Sequence, residues 1–214
     1  QRMIPPVIAG HEKMCFAVTE PNTGLDTTSL KTRADKVDGG YRLNGEKIWI
    51  TNAHVADKML IIARTTPLEE VRRKTEGLTL FYTSIDRERI ETRIIPKMGR
   101  HAVGSNMVFI SDWFVPEEDR IGEEGQGFRI LLNGLNPERV LLAAEATGLG
   151  RAAISRAAKY AQERVVFGRP IGMNQGIQHP LAKAWMQNEA AALMVFKAAS
   201  LFDQGKDCGV EANT

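Results

Sequence analysis

Cys15-Phe-Ala-Val-Thr-Glu-Pro-Asn-Thr-Gly-Leu-Asp26 belongs to an apolar strand, Met14 to Val18, that breaks into a loop carrying Pro21, Asn22 and Gly24. Proline sets its own φ, while asparagine and glycine accept backbone angles that other residues resist, so a tight loop is expected. A strand that ends this way can present backbone N–H groups and the Thr19 hydroxyl to an anion or to the polar edge of a ring. The same residues also suit an ordinary surface turn, and a second stretch downstream shifts the balance between the two.

That stretch is Asn44-Gly-Glu-Lys-Ile-Trp-Ile-Thr-Asn52, which follows past one Asp38-Gly39 turn. Together the two resemble the flavin-binding signatures of the acyl-CoA dehydrogenase family, the VTEP…G.D loop and the NG.K.WITN strand. The resemblance continues to Arg164-Val-Val-Phe-Gly-Arg-Pro-Ile171 and so covers nearly all of the 214 residues. It implies the middle of a family member. Residues 1–11 would be the tail of an N-terminal helical domain, 12–121 a middle β domain, and 122–214 the first part of a C-terminal helical domain.

Composition narrows the function classes independently. A chain of 214 residues with 43% hydrophobic content can bury a core. The net charge of +2 is near balance and the basic residues are scattered, which argues against nucleic acid as a partner. The apolar runs fall far short of a membrane span. Cys15 and Cys208 are too few and too far apart for a disulfide framework, and suit a reducing compartment. His11, His54, His101 and His179 show no ligand spacing, so no metal site is expected.

Taken in order, Pro5, Pro6 and Gly10 argue against a helix in residues 1–11. Strand signals then run from about 12 to 115. Ser29–Lys36 leads to a hairpin at Asp38-Gly39, and Tyr41-Arg42-Leu43 to a second turn at Asn44-Gly45. Strands follow at Ile48–Thr51, Lys58–Ala63, Leu78–Tyr82, Ile90–Pro96 and Met107–Phe114, with a solvated loop at Thr65–Glu76. Short strands between turn signals predict a closed or sandwich-like antiparallel sheet.

Past Val115-Pro116 the period changes. Leu142, Ala146, Leu149, Ala153, Ala157 and Tyr160 recur at steps of three and four, which predicts one face of a long helix stopped by Gly168 and Pro170, a face that two helices alone cannot enclose. A second helix is expected from about Pro180 to Gln204, with Leu181, Ala184, Asn188, Ala191, Val195, Ala198 and Phe202 on one side. Gly122, Gly125 and Gly127 are a hinge rather than a dinucleotide fingerprint, because their order is wrong and Glu123 and Glu124 would repel a pyrophosphate. The fold class expected is α+β: an antiparallel β-barrel or sandwich domain, then an antiparallel helical-bundle domain that is incomplete.

The resemblance implies FAD. It places Phe16, Val18, Thr19, Gly24 and Leu25 on the flavin and its pyrophosphate, with Trp49, Ile50 and Thr51 at the isoalloxazine. Trp49 taken alone would read as strand packing. Leu25 stands where the family commonly has a serine serving the flavin phosphate and the substrate, so that contact is lost or supplied by a neighbour such as Thr27. Arg164, Phe167 and Gln175 match positions that reach the pyrophosphate and adenosine end from a neighbouring subunit. A planar guanidinium can pair two phosphate oxygens, although an arginine there also offsets the helix dipole.

Asn136-Pro137-Glu138 has two readings. As plain structure it fits N-cap, first helical residue and first-turn acid, worth roughly 0.3–1 kcal/mol. By resemblance, Leu135–Val140 is similar to the Glu-Arg pair that carries the catalytic base in the isovaleryl-CoA and long-chain branches; in many other members the base lies on a loop nearer the C-terminus. The branch pattern favours Glu138 as base, with its pKa raised by burial, and puts Asn136 and Arg139 on the substrate side. The implied reaction oxidises a saturated acyl-CoA to the trans-2-enoyl-CoA, with electrons passing to an electron-transfer flavoprotein. The implied assembly is a homo-oligomer, dimer or tetramer, with FAD at the subunit interface, in the bacterial cytoplasm or alternatively the mitochondrial matrix. A related flavoenzyme of the same fold, oxidase or monooxygenase-like, and a non-catalytic CoA-binding relative are the alternatives.

Overall fold

The computed structural model describes residues 2–214, which divide into two units, one running to Leu131 and the other spanning Leu132–Thr214. The first unit holds eight strands: β1 (Met14–Ala17), β2 (Arg33–Val37), β3 (Gly40–Thr51), β4 (Lys58–Arg64), β5 (Leu78–Ser84), β6 (Ile90–Ile94), β7 (Ser105–Pro116) and β8 (Arg120–Ile121). They pair in the order β6-β7-β3-β2-β4-β5-β8, with β1 added on β4. Alternate residues of β3 and β7 point into one core, where Tyr41, Leu43, Val108, Trp113 and Val115 are buried with Met59, Ile61 and Phe81. The Tyr41 and Phe81 rings meet edge to face with centroids 4.9 Å apart. Each such side chain contributes roughly 1.5–3 kcal/mol by leaving water.

The antiparallel sheet expected from the sequence, closed or sandwich-like, is not what forms. The sheet is mixed and open. β1 runs parallel to β4, from Met14 opposite Lys58 to Ala17 opposite Ile61, and β2 meets β4 in parallel at Arg33 and Arg64. Parallel pairing needs a long crossover, and the chain between Ala17 and Lys58 supplies one. Period-two patterning is the same in either direction, so the sequence pattern did not distinguish them.

Two local expectations also change. Ile4–Ile8 forms a short helix, α1, despite its prolines. They sit in its first turn, where a missing N–H breaks no helical bond. Asn44-Gly45 is not a turn: β3 continues through it and slips register against β7 between Leu43 and Gly45, the mark of a β-bulge. A Cβ on Gly45 would lie 2.5 Å from the Thr32 Oγ1, so only glycine admits this approach.

Helix α2 (Gly127–Glu163) begins against β5, where a Cβ on Gly127 would fall 2.5 Å from the Leu80 nitrogen. The glycines before it are thus explained by turns and by this contact. In the second unit, a small hairpin of β9 (Val165–Val166) and β10 (Arg169–Pro170) leads to α3 (Gln175–Asp203) and a short α4 (Gly209–Ala212). Helix α3 starts ahead of the expected Pro180 and runs through it, losing one backbone bond rather than stopping.

The face of α2 marked by that spacing is left uncovered within the second unit, as a face that two helices cannot enclose should be. Leu142, Ala146, Leu149, Ala153, Ala157 and Tyr160 are all exposed, whereas Ala143, Thr147, Gly150, Ile154, Ala158 and Ala161 are more covered. Alanine recurs on both sides of this helix, so hydropathy barely separates its faces. Close fit does: a Cβ on Gly150 would fall 2.2 Å from the Asn188 Oδ1. Beside it, Arg151 grips both Glu189 oxygens at 2.9 and 3.1 Å. No helix among the described residues is long and apolar enough to cross a membrane.

Candidate active site

The site in the first unit grows from an irregularity in β3. Lys47 and Ile50 are both buried, although residues three apart on a regular strand face opposite ways. The register against β7 slips between them, and Trp49 inside the slip takes φ 63°. Left-handed backbone at a bulky residue is an outlier. Its effect is to turn the indole out, 55% exposed, beside Ile50, whose side chain lies in the core. Strain of this kind costs on the order of 1–3 kcal/mol and persists where the surroundings over-determine it, which is characteristic of functional sites.

The surroundings here are specific. Asn106, fully buried, donates from Nδ2 to the Ile50 carbonyl at 2.9 Å and the Gly104 carbonyl at 3.3 Å. Asn52, also left-handed at φ 57°, donates its backbone N–H to the Gly104 carbonyl at 2.7 Å. Its Oδ1 accepts the Gly104 N–H at 3.1 Å. Upstream of the indole, the Ile48 N–H donates to the Thr19 carbonyl at 2.9 Å. That bond joins the two stretches with which the sequence reading began.

In the loop beyond β1, Phe16, Val18 and Thr19 are half-buried, Gly24 is exposed, and Leu25 projects fully into solvent. A Cβ on Gly24 would meet nothing within 4 Å, so nothing in this chain requires glycine there. The Thr23 hydroxyl beside it is buried without a hydrogen-bond partner. Thr51 is exposed, but the Ile50 side chain lies in the core, so only its backbone can reach a ligand. An outward indole wall, threonine hydroxyls near it, and open space over a glycine suit a flat, polar-edged ring such as a flavin.

Beneath the loop lies a buried ion pair that the sequence reading did not single out. Burial pushes the Lys47 ammonium down to about 8 against the pull of Glu20. Burial alone would raise the Glu20 carboxyl, but the Lys47 charge and the Lys31 and Thr32 amides outweigh it and leave the group lowered. A lowered carboxyl stabilises the fold fully above its ordinary value of 4.5, and that contribution disappears as pH falls through the lowered value. Urea midpoints should therefore hold down to about pH 5 and fall below it, and Glu20→Gln should flatten that acid limb.

In the second unit, Glu138, the twelfth residue of α2, is exposed, and Pro137 lies inside the helix rather than at its start. The first-turn reading therefore fails: the stretch from Phe128 to Leu135 already is helix, and the proline only forfeits its bond to the Asn133 carbonyl. The burial expected around the Glu138 carboxyl is not supplied by these residues. Arg139 donates to the Asn136 Oδ1 at 3.2 Å, so the two expected substrate-side residues are tied together. Asn136 also lines a cleft of about 410 Å³ with Asn133, Phe202, Lys206 and Asp207.

Arg164 and Phe167 flank β9 of the small hairpin, and Gln175 opens α3 beyond it. Phe167 and Gly168 form the hairpin's two-residue tip with φ 52° and 75°, both left-handed as a type I′ turn demands. Glycine accepts this freely and phenylalanine does not, yet the tip holds the Phe167 ring 99% exposed. Arg164 accepts the Ile171 N–H on its carbonyl at 2.8 Å and leaves its side chain exposed, as is Gln175 at the start of α3.

Residues 15–113 match the family profile of the acyl-CoA dehydrogenase middle domain, and residues 125–214 that of the acyl-CoA dehydrogenase C-terminal domain. The chain belongs to the acyl-CoA dehydrogenase family. It is 38% identical to an acyl-CoA dehydrogenase of Bacillus subtilis over 99% of this chain and 55% of that protein. Among solved structures of the family, butyryl-CoA dehydrogenase from Megasphaera elsdenii superposes with a TM-score of 0.89 at 36% identity, over 99% of this chain and 55% of that one. The FAD complex of PigA superposes with a TM-score of 0.91 at 29% identity, over 99% and 54%. The chain thus spans about half the length of the acyl-CoA dehydrogenase relatives it matches.

Proposed function

We propose that the protein carrying this chain is an FAD-dependent acyl-CoA dehydrogenase, which converts a saturated acyl-CoA thioester to its trans-2-enoyl-CoA and passes electrons to an electron-transfer flavoprotein. The observation that carries this reading is the strained, outward-turned Trp49 fastened beside the Thr19 loop. The cofactor, when bound, supplies the hydride acceptor. Phe16, Val18, Thr19, Gly24 and Leu25 would hold it from the loop, with Trp49, Thr51 and the Ile50 backbone from β3. Arg164, Phe167 and Gln175 would serve the cofactor of a neighbouring subunit in a homo-oligomer, and their exposure in this chain suits that role. Glu138 would take the α proton on its carboxylate, while the Asn136–Arg139 hydrogen bond orients the polar face of α2 one turn around it. The bacterial cytoplasm is the compartment this reading favours.

Flavin release on denaturation of the purified full-length protein tests the cofactor. A folded protein that releases none and takes up no added FAD would sink the reading. Gly24→Ala offers a finer check. Because its Cβ meets open space in this chain, the substitution should leave the apoprotein's stability within about 0.5 kcal/mol. If a bound group approaches that backbone, FAD affinity should fall about tenfold or more, some 1.4 kcal/mol. Titration of the apoprotein with FAD beside a thermal melt separates the two effects.

A further inference from the structure

Two buried charges that no step of the reaction uses fasten the loop and the strand of the proposed cofactor site to each other. Lys47 is 0% exposed and Glu20 6%, with Nζ 3.0 Å from Oε1. The same ammonium donates to the Val18 carbonyl, also at 3.0 Å. Glu20 in turn gathers the far end of the loop: Oε1 accepts the Thr32 N–H at 2.9 Å, and Oε2 accepts the Lys31 N–H at 2.6 Å. Its backbone carbonyl accepts the Thr23 N–H at 3.1 Å.

Thr19 therefore sits between two residues held by one lysine of β3. Its own carbonyl is held by Ile48, the residue next to that lysine. On the other side of Ile48 comes Trp49. The chain from Val18 to Glu20 and the chain from Lys47 to Trp49 are locked as one block, which carries the half-buried Thr19 on one segment and the exposed indole on the other. A buried ion pair is a weak source of net stability, since desolvation offsets most of its attraction. What it fixes here is geometry. Apolar side chains of similar size would fill the space but leave the Lys31 and Thr32 N–H groups and the Val18 carbonyl without these partners.

We propose that Glu20 and Lys47 are positioning residues that set the spacing between the Thr19 face of the loop and the Trp49 face of β3, and through it the affinity and pose of FAD. This rests on the flavin reading above.

The test uses the full-length protein in two variants, Glu20→Gln and the double variant Glu20→Gln with Lys47→Met. The first keeps an acceptor for the loop amides; the second leaves no unpaired charge in the core. FAD titration of the apoprotein, the visible circular dichroism of bound flavin, and the apoprotein melt are read together. The double variant should fold and bind FAD about tenfold or more weakly, with an altered flavin dichroism, and the single variant should lie between it and the parent. A folded variant of either kind that binds FAD within about twofold of the parent, with unchanged dichroism, overturns the proposal. Should the double variant fail to fold, the single variant decides by the same criterion. A parent protein that takes up no FAD instead refutes the flavin reading itself, before any variant is compared.

Discussion

Replacing Glu138 with glutamine in the full-length protein should lower turnover by roughly 10²–10⁴, the usual loss when a general base is removed. The amide keeps the size of the side chain and can still hydrogen-bond, but it cannot accept the α proton. FAD content and the spectral response to added acyl-CoA should stay as in the parent, because the expected flavin contacts lie at other residues. Stability should move by less than about 0.5 kcal/mol, since Glu138 is exposed in the middle of a continuous helix and neither caps it nor faces its dipole end. The measurement is a rapid-mixing reductive half-reaction with a thermal melt alongside. A glutamine variant that reduces its flavin at the parent's rate removes Glu138 from the chemistry and places the base elsewhere in the protein.

The second large effect should be purely structural. Trp113→Ala is expected to cost about 3–5 kcal/mol, the range for deleting a buried aromatic. Trp113 is 1% exposed and stands opposite Leu43 in the β3–β7 ladder that also carries the Trp49 slip. Phe167→Ala supplies the contrast. Its ring is 99% exposed at a hairpin tip, so removing it should change the melt by less than about 0.5 kcal/mol. If Phe167 reaches the cofactor of a neighbouring subunit, its loss should appear instead as weaker FAD binding in the assembled protein. Two aromatic truncations in one chain would then give opposite signatures in melting and in FAD titration. Equal melting losses would contradict the exposure difference on which the contrast rests.

How much of this was legible beforehand depended on the physics behind each feature. Strands that are short, near-continuous apolar runs, such as Lys58–Arg64 and Leu78–Ser84, were readable because composition between turn signals is local. The parallel contact of β1 with β4 was not, because alternation carries no direction. Proline and glycine misled where they were treated as breakers. Pro137 and Pro180 lie inside helices, and Gly45 lies inside a strand, because surrounding contacts outweigh one lost bond or one unusual angle. The flavin stretches were visible as motifs, but the reason Trp49 faces outward lies in the register slip and in Asn106, whose sequence neighbourhood gives no hint of it. Lys47 did carry a signal. It is a charge at an inward position of a strand, and such a charge needs a buried partner.

The slip at Trp49 also makes this segment sensitive to length. Lys47 and Ile50 can both point inward only because the backbone between them is out of step with its neighbour strand. Delete one residue from that interval and the two would sit two apart, inward-facing on a regular strand, with the single residue between them facing outward at ordinary angles. The sheet would close without strain, and the left-handed bend that aims the indole would be gone. A gap of one position between the lysine and the isoleucine is thus a mark by which a relative that kept the scaffold and lost the left-handed bend could be recognised from its alignment alone.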